Sequence, residues 1–475
     1  MSTLVAIAVL CAGWPGTASL AALGQVPASA GTWGNAREVP GLGQLNQGGN
    51  AVVASVSCPS VGNCGAGGWY SPASGTLEAF VVNEVKGRWR QPEEVPGVAT
   101  LNTAGVGLVD NMSCPSPGDC SAVGTYQTNI KDQLPFVVTE TNGTWGQAAE
   151  VPGLSALGTD KYINFGSVSC ASPGNCSAGG SYGVAPQGFQ AFVVSQAKGK
   201  WGKAEEVPGS AALNTGGNAS TGWISCPAVG DCSADGQYTD ASGHTQVFVV
   251  NESGGTWGTA QELPGLSALN ANDAGVGPLS CGAVGDCGLG GTYIDSFGAG
   301  QVFVASESGG AWGGTEEIPG TASLNTSGAN VTAISCPAAG DCGAVGIYGG
   351  ASNVDDAFAV TESGGTWGNA AQIPGTGALN QGAIAYPAAI SCPAPGDCGA
   401  GGYYDDSAGH LQVFVVNQSS GAWGTAEQIP GSAKLNTGGN AVLNAMSCPT
   451  VSHCTAGGFY TAKASAQEGF VVSGP

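Results

Sequence analysis

Positive charge is scarce in this chain. Among 475 residues there are 11 Lys and Arg against 33 Asp and Glu, a formal net charge of −22. A surface that acidic repels nucleic acid and anionic membranes, so neither is expected as a partner. Histidine is nearly missing, at three residues. Two of them, His244 and His410, sit at equivalent places in a repeat, which makes them products of repetition rather than a site. No Ser-His-Asp set, zinc motif or phosphate-cradling loop stands out. No segment carries the apolar spacing of three and four that marks a helix. The apolar N-terminal segment is short and broken by Pro15, so no membrane span is expected in the mature chain.

Glycine and cysteine are abundant, at 83 and 17 residues, and they fall in a pattern. The stretch Ser57-Cys58-Pro59-Ser60-Val61-Gly62-Asn63-Cys64-Gly65-Ala66-Gly67-Gly68-Trp69-Tyr70 recurs eight times, with first cysteines 55 or 56 residues apart. Trp33, Trp89, Trp145, Trp201, Trp257, Trp312, Trp367 and Trp423 keep the same count, as does a Phe-Val-Val run that begins at Phe80. A fixed period of this size means a solenoid, a propeller or a domain array. Each unit reads as four short strands: Trp33 to Pro40, Ala51 to Cys58, Cys64 to Tyr70 and Ala79 to Glu84 in the first. Four antiparallel strands repeated eight times point to an all-β, eight-bladed β-propeller.

Met1 to Ala30 has the form of a signal peptide. Leu4 to Leu10 is continuously apolar, and Ala28-Ser29-Ala30 suits a signal-peptidase site. Secretion agrees with the cysteines, since even numbers at regular spacing in an exported chain read as disulfides. The expected bonds are Cys58–Cys64, Cys114–Cys120, Cys170–Cys176, Cys226–Cys232, Cys281–Cys287, Cys336–Cys342, Cys392–Cys398 and Cys448–Cys454, one hairpin staple per blade. Residues 31–475 then form one eight-repeat domain. The strand from Trp33 to Pro40 is expected to complete the last blade and close the ring, leaving no open sheet edge.

Gly67-Gly68 at a strand end, an aromatic soon after, and Trp89 opening the next strand resemble the kelch repeat of galactose-oxidase-type propellers. Val82 stands where the kelch pattern has a tyrosine. The stretch Asn251-Glu252-Ser253-Gly254-Gly255-Thr256-Trp257 is similar to the Asp-box hairpin of sialidase-like propellers, with Glu in place of its Asp. Both resemblances imply a propeller, and function must come from sites grafted on it.

The disulfide turns and tryptophan hairpins are expected on one face, with the longer variable loops on the other. Departures from the repeat mark where a ligand would bind. Trp69, Tyr162, Trp223 and Tyr403 are extra aromatics, and Asp160, Lys161 and Phe165 join Tyr162 in the third unit, where the Leu-Asn step of the other units is lost. Planar aromatics beside amides and carboxylates are what sugar recognition needs. Asp240, Asp295 and Asp406 occupy one repeat position, with Asp405 adjacent. Residues 204–433 hold 21 acidic residues and no Lys or Arg, while the remainder holds 12 acidic and all 11 basic residues. That acidic arc would favour a basic partner or Ca²⁺, although no EF-hand spacing is present and no cofactor is required.

The reading is a secreted, monomeric, non-enzymatic recognition or scaffold module. It binds a glycan or an extracellular protein through the variable-loop face. The alternative is a secreted carbohydrate-active hydrolase or lyase with carboxylates in the central pocket. A structural envelope protein without a specific ligand is the third.

Overall fold

Eight four-stranded antiparallel sheets follow one another along the chain, each built from one repeat unit. The structure is a computed structural model and describes residues 32–129, 132–158, 163–184, 188–350, 354–462 and 466–475. The expected signal peptide lies outside the described residues. Blades are numbered here by their cysteine pairs in chain order. In blade 1 the strands are Val52–Ser60, Asn63–Tyr70 and Glu78–Val85, then two short outer pieces, Arg88–Trp89 and Glu93–Glu94, that both pair with Glu78–Val85. In blade 8 the outer strand is Arg37–Glu38, with Arg37 opposite Val471 and Glu38 opposite Phe470. The first strand of each blade is innermost. It packs beside the inner strands of both neighbours, and Val52–Ser60 beside Ala441–Thr450 closes the ring.

The Ser-Cys dipeptide shows how the ring is fastened. In every blade the cysteine amide of the inner strand donates to the serine hydroxyl of the preceding blade. Cys114 N–H donates to Ser57, Cys170 to Ser113, and so on to Cys58 on Ser447, all at 2.9–3.0 Å. The outer edge has its own ties, because the chain bows out after the tryptophan. There Ala148 N–H donates to Pro96 O at 2.7 Å, and Ala36 N–H donates to Pro430 O at 2.8 Å. These bonds use backbone groups that an edge strand would otherwise leave open.

The core lies between blades. Phe80 and Val82 pack on one face of their sheet with Tyr70, Trp89 and the Cys58–Cys64 bridge. Val81 faces the other way, onto Val109, Met112 and the Cys114–Cys120 bridge of blade 2. Burial on both faces explains why the strand reads as a continuous apolar run rather than an alternation. The bridge needs a small residue opposite. A Cβ at Gly65 would fall 2.7 Å from Cys114 Sγ and 2.8 Å from Met112 Sδ. Gly65→Val is therefore expected to wedge blades 1 and 2 apart and lower stability by about 1–3 kcal/mol, read as a fall in the denaturation midpoint.

Two local features differ from the sequence reading. The Pro-Gly step after each outer strand leads into one turn of helix, Leu42–Leu45 in the first unit. Gly41 sits at φ 86°, which starts that turn. Four residues carry no periodic signal, so the turn was invisible in the pattern. The asparagine that follows is a hydrogen-bonding post. Asn46 Nδ2 donates to Gln467 O and Glu468 Oε2, while Asn46 Oδ1 accepts from Asn50 and Ser71 N–H. The outer strand is also shorter than Trp33 to Pro40, with only Arg37–Glu38 paired as strand.

Candidate functional site

The disulfide face is regular. In blades 1 to 7 the Asn or Asp before the second cysteine spans to the neighbouring hairpin: Asp119 accepts from Asn142 N–H, Asp231 from Gly254, Asp397 from Ser420, and Asn63 from Lys86. A crevice of about 400 Å³ lies on this face between blades 1 and 2, bordered by Asn83, Glu84 and Arg90. A smaller counterpart of about 270 Å³ recurs between blades 4 and 5. These crevices follow the repeat.

The opposite face breaks the repeat around blade 3. A crevice of about 490 Å³ opens there between blades 3 and 4, lined by Phe165, Ser181, Phe189, Asn218, Ser220, Thr221 and Gln237, with Gly166, Gly180 and Ala219 as floor. Its origin is visible position by position. The residue just before the repeat tyrosine is Trp69, Thr125, Ser181, Gln237, Thr292, Ile347, Tyr403 and Phe459 in blades 1 to 8. Serine is the smallest of the eight, and it leaves open the space that the larger side chains occupy. Phe165 stands where other blades have Val53, Val109 or Leu443. Its ring leans on Phe192 with centroids 5.8 Å apart. Among the described residues nothing ionisable lines this crevice.

A second crevice of about 440 Å³ lies between blades 2 and 3, bordered by Tyr126, Leu134, Glu150 and Ile163. Its polar pair belongs to the repeat. Tyr126 OH donates to Glu150 at 3.0 Å, as Tyr182 does to Glu206 at 2.7 Å and Tyr293 to Glu317 at 3.2 Å. Burial, with the carboxylate alongside, holds the Tyr126 hydroxyl above the ordinary phenol range.

The residues singled out in the sequence are not gathered at one place. Trp69 is half-buried on the second strand of blade 1, in register with Val52 and Ala79. Tyr403, in blade 7, stacks on Tyr386 with centroids 5.1 Å apart and planes at 13°. Asp405 Oδ2 accepts from Ala383 N–H at 3.2 Å. Tyr162 lies outside the described residues. Asp240, Asp295 and Asp406 shape their own loops. Asp240 Oδ1 accepts from Ser242 and His244 N–H, and its Oδ2 accepts from Gln246 Nε2. Asp295 and Asp406 repeat this with Phe297, Ala299 and Gln301, and with Ala408, His410 and Gln412. At Asp240 and Asp406 slight burial raises the carboxyl, but the donated bonds outweigh it and leave the pKa lowered. At Asp295 the Ala299 N–H is the largest influence, again lowering it. Both oxygens of each are thus used within the loop. Among the described residues no three His, Cys, Asp or Glu side chains converge to hold a metal ion.

Trp223 is different. It is on the inner strand Ala219–Ala228, is 42% exposed, and donates its backbone N–H to Asp235 Oδ1 at 2.7 Å. Asp235 is fully buried, and its Oδ2 has no partner. Burial pushes its carboxyl well above the usual range despite the Trp223 N–H. Asp235, Ser181 and Phe189 belong to no motif in the sequence. For Asp235 the signal was present, because its column otherwise reads Gly67, Val123, Gly179, Gly290, Val345, Gly401 and Gly457.

No protein-family model matches the chain, and no curated protein matches it. Solved structures to which it is similar include a post-proline cleaving enzyme from Rickettsia typhi, at 8% identity and TM-score 0.46 over 88% of this chain and 58% of that one. An ulvan lyase bound to -[GlcA(1-4)Rha3S]- is 10% identical with TM-score 0.43, over 85% and 95% of the two chains. A Hadza microbial sialidase is 12% identical with TM-score 0.35, over 75% and 73%. At these values the likeness assigns no chemistry to this chain.

Proposed function

We propose that the protein is an exported, non-enzymatic recognition module that binds a glycan in the crevice between blades 3 and 4. The observation that carries this reading is the crevice lining: among the described residues, Phe165 and Phe189 stand beside the amides of Asn218 and Gln237 and the hydroxyls of Ser181, Ser220 and Thr221. Aromatic faces stack on the apolar side of a sugar ring, while amides and hydroxyls bond its edge. Among the described residues no ionisable side chain lines the crevice to transfer a proton, which favours binding over hydrolysis. Export belongs to the same reading, because eight disulfides persist in an oxidising compartment. So does descent of the units from kelch-type or Asp-box-type repeats.

The test is retention on immobilised polysaccharides, with Ca²⁺ and with chelator, while released product is assayed. Retention without product and without dependence on Ca²⁺ is expected. Phe165→Ala should weaken it at least tenfold, about 1.4 kcal/mol, from lost stacking and buried area. Retention of a secreted protein but of no polysaccharide would move the proposal to a protein partner.

One observation favours the hydrolase or lyase reading. Asp110 is on the inner strand of blade 2, and burial pushes its carboxyl up to about 6, although Thr125 Oγ1 donates to it at 2.7 Å. Such a group could serve as a general acid or base. Product that disappears in Asp110→Asn would put this reading first.

A further inference from the structure

We infer that Trp223 forms a second subsite, continuous with the blade 3–blade 4 crevice. It would stack a further ring of an uncharged glycan chain running toward the propeller axis, with Asp235 as its positioning residue. This rests on the glycan reading above and deepens it.

Continuity comes from the backbone. Ser220 and Thr221 line the crevice, and Trp223 is two residues further along the same inner strand. Gly166, also in the lining, approaches so closely that a Cβ there would lie 2.1 Å from Gly222 O. The wall of the crevice therefore runs into the Gly222-Trp223 bulge without a gap.

The position argues against a packing role. Its counterparts are Ser55, Asn111, Ser167, Pro278, Ala333, Ala389 and Ala445. Three of them fasten the next blade: Ser55 accepts from Met112 N–H, Asn111 from Val168 and Ser167 from Ile224. In blade 4 that fastening is given up for an indole that remains 42% exposed. Asp235 is a second local cost, since a fully buried carboxyl with one free oxygen stands where glycine or valine serves elsewhere. Its visible return is the bond to Trp223 N–H. Gly222 leaves room for it, because a Cβ there would fall 2.6 Å from Asp235 Oδ1. Two departures from the repeat thus meet in one contact, and the contact presents an aromatic face.

The charge selects the ligand class. Among the described residues the crevice has no ionisable lining, and residues 204–433, which begin beside it, hold 21 acidic residues and no Lys or Arg. An anionic glycan would meet repulsion there, and an uncharged one would not.

The experiment is calorimetric titration with cello-, xylo- and manno-oligosaccharides of about two and about six sugar residues, lengths chosen to fill one stacking site or several. Oligogalacturonides of the same lengths serve as the anionic arm. At least one neutral series should bind, the longer chain at least tenfold more tightly. Trp223→Ala should abolish that gain with length and leave the short chain within twofold of wild type, whereas Phe165→Ala should lose both. Asp235→Ala should reduce the gain, and Asp235→Asn, which keeps the acceptor for Trp223 N–H, should restore it. A length gain unchanged in Trp223→Ala, or tighter binding of oligogalacturonides, overturns this inference and leaves the crevice standing. Wild-type protein that binds no chain of either length overturns the glycan reading and this subsite with it.

Discussion

Reduction of the eight disulfides is expected to lower the melting temperature by more than about 10 °C. Each bridge closes a loop with a sequence separation of 6. Loop entropy for so short a closure gives about 2 kcal/mol per bond. A typical domain has a net stability of only about 5–15 kcal/mol, so eight such terms are comparable with the whole margin. The bridges also act across blades. Cys336 and Cys342 Sγ would lie 3.0 and 2.8 Å from a Cβ at Gly288, and Cys454 Sγ 2.8 Å from one at Gly399. Two thiols need more room than one bridge, and the facing glycines offer none. The same segments carry the Ser-Cys ring, so a loosened hairpin releases a fastening to the next blade. Calorimetry in the presence of a phosphine reductant, with free thiols counted, checks this. An unchanged melting temperature at full reduction would show that inter-blade packing holds the ring by itself.

The architecture was legible because it is periodic. A cysteine pair, a tryptophan, a tyrosine and a Phe-Val-Val run at one spacing specify blade number and bridges together, and the fold has both. The site was less legible, for two physical reasons. Asp240, Asp295 and Asp406 attracted attention as carboxylates, but each has a glutamine six residues on, Gln246, Gln301 and Gln412, that bonds its second oxygen. Repetition of that whole set marks a loop-forming device. Ser181 went unnoticed because its contribution is missing volume. A small polar residue looks like any strand-end serine until its seven counterparts are placed beside it. Phe165 was found because it exceeds its column, whereas Ser181 falls short of its own, and the crevice needs both.

The second large effect concerns pH: the melting temperature is expected to be higher near pH 5 than at pH 8. Glu84, Glu140, Glu252, Glu307 and Glu362 stand next to last in the third strands of their blades and are 5%, 1%, 4%, 3% and 2% exposed. Burial raises the pKa of every one. The bonds of four come from neutral groups, Asn83 to Glu140, Ser177 and Ser195 to Glu252, Ser233 and Asn251 to Glu307, and Ser306 to Glu362, while at Glu84 burial outweighs the opposing pull of Arg37 and His453. A carboxyl with a folded pKa above its unfolded value of 4.5 contributes stability that is complete below 4.5. That contribution is lost as pH rises through the folded value. Asp110, raised to about 6, and Asp235 act in the same direction. Asp240, Asp295 and Asp406 oppose it, but their contribution is lost only as pH falls through 3.8 and below. Stability should therefore peak between pH 4 and 5 and decline toward pH 8, where self-repulsion of a chain at −22 adds to the loss. Two blades already carry the neutral solution, with Gln196 and Gln418 in the glutamate position donating to Thr139 and Thr361 at 2.8 and 2.9 Å. Glu140→Gln is the sharpest test, because Glu140 Oε2 has no partner. The variant should gain about 1–3 kcal/mol at pH 8 and little at pH 4, flattening the profile. A melting temperature that rises from pH 5 to pH 8 would mean that these carboxyls are ionised in the folded state and held by groups other than their neutral partners.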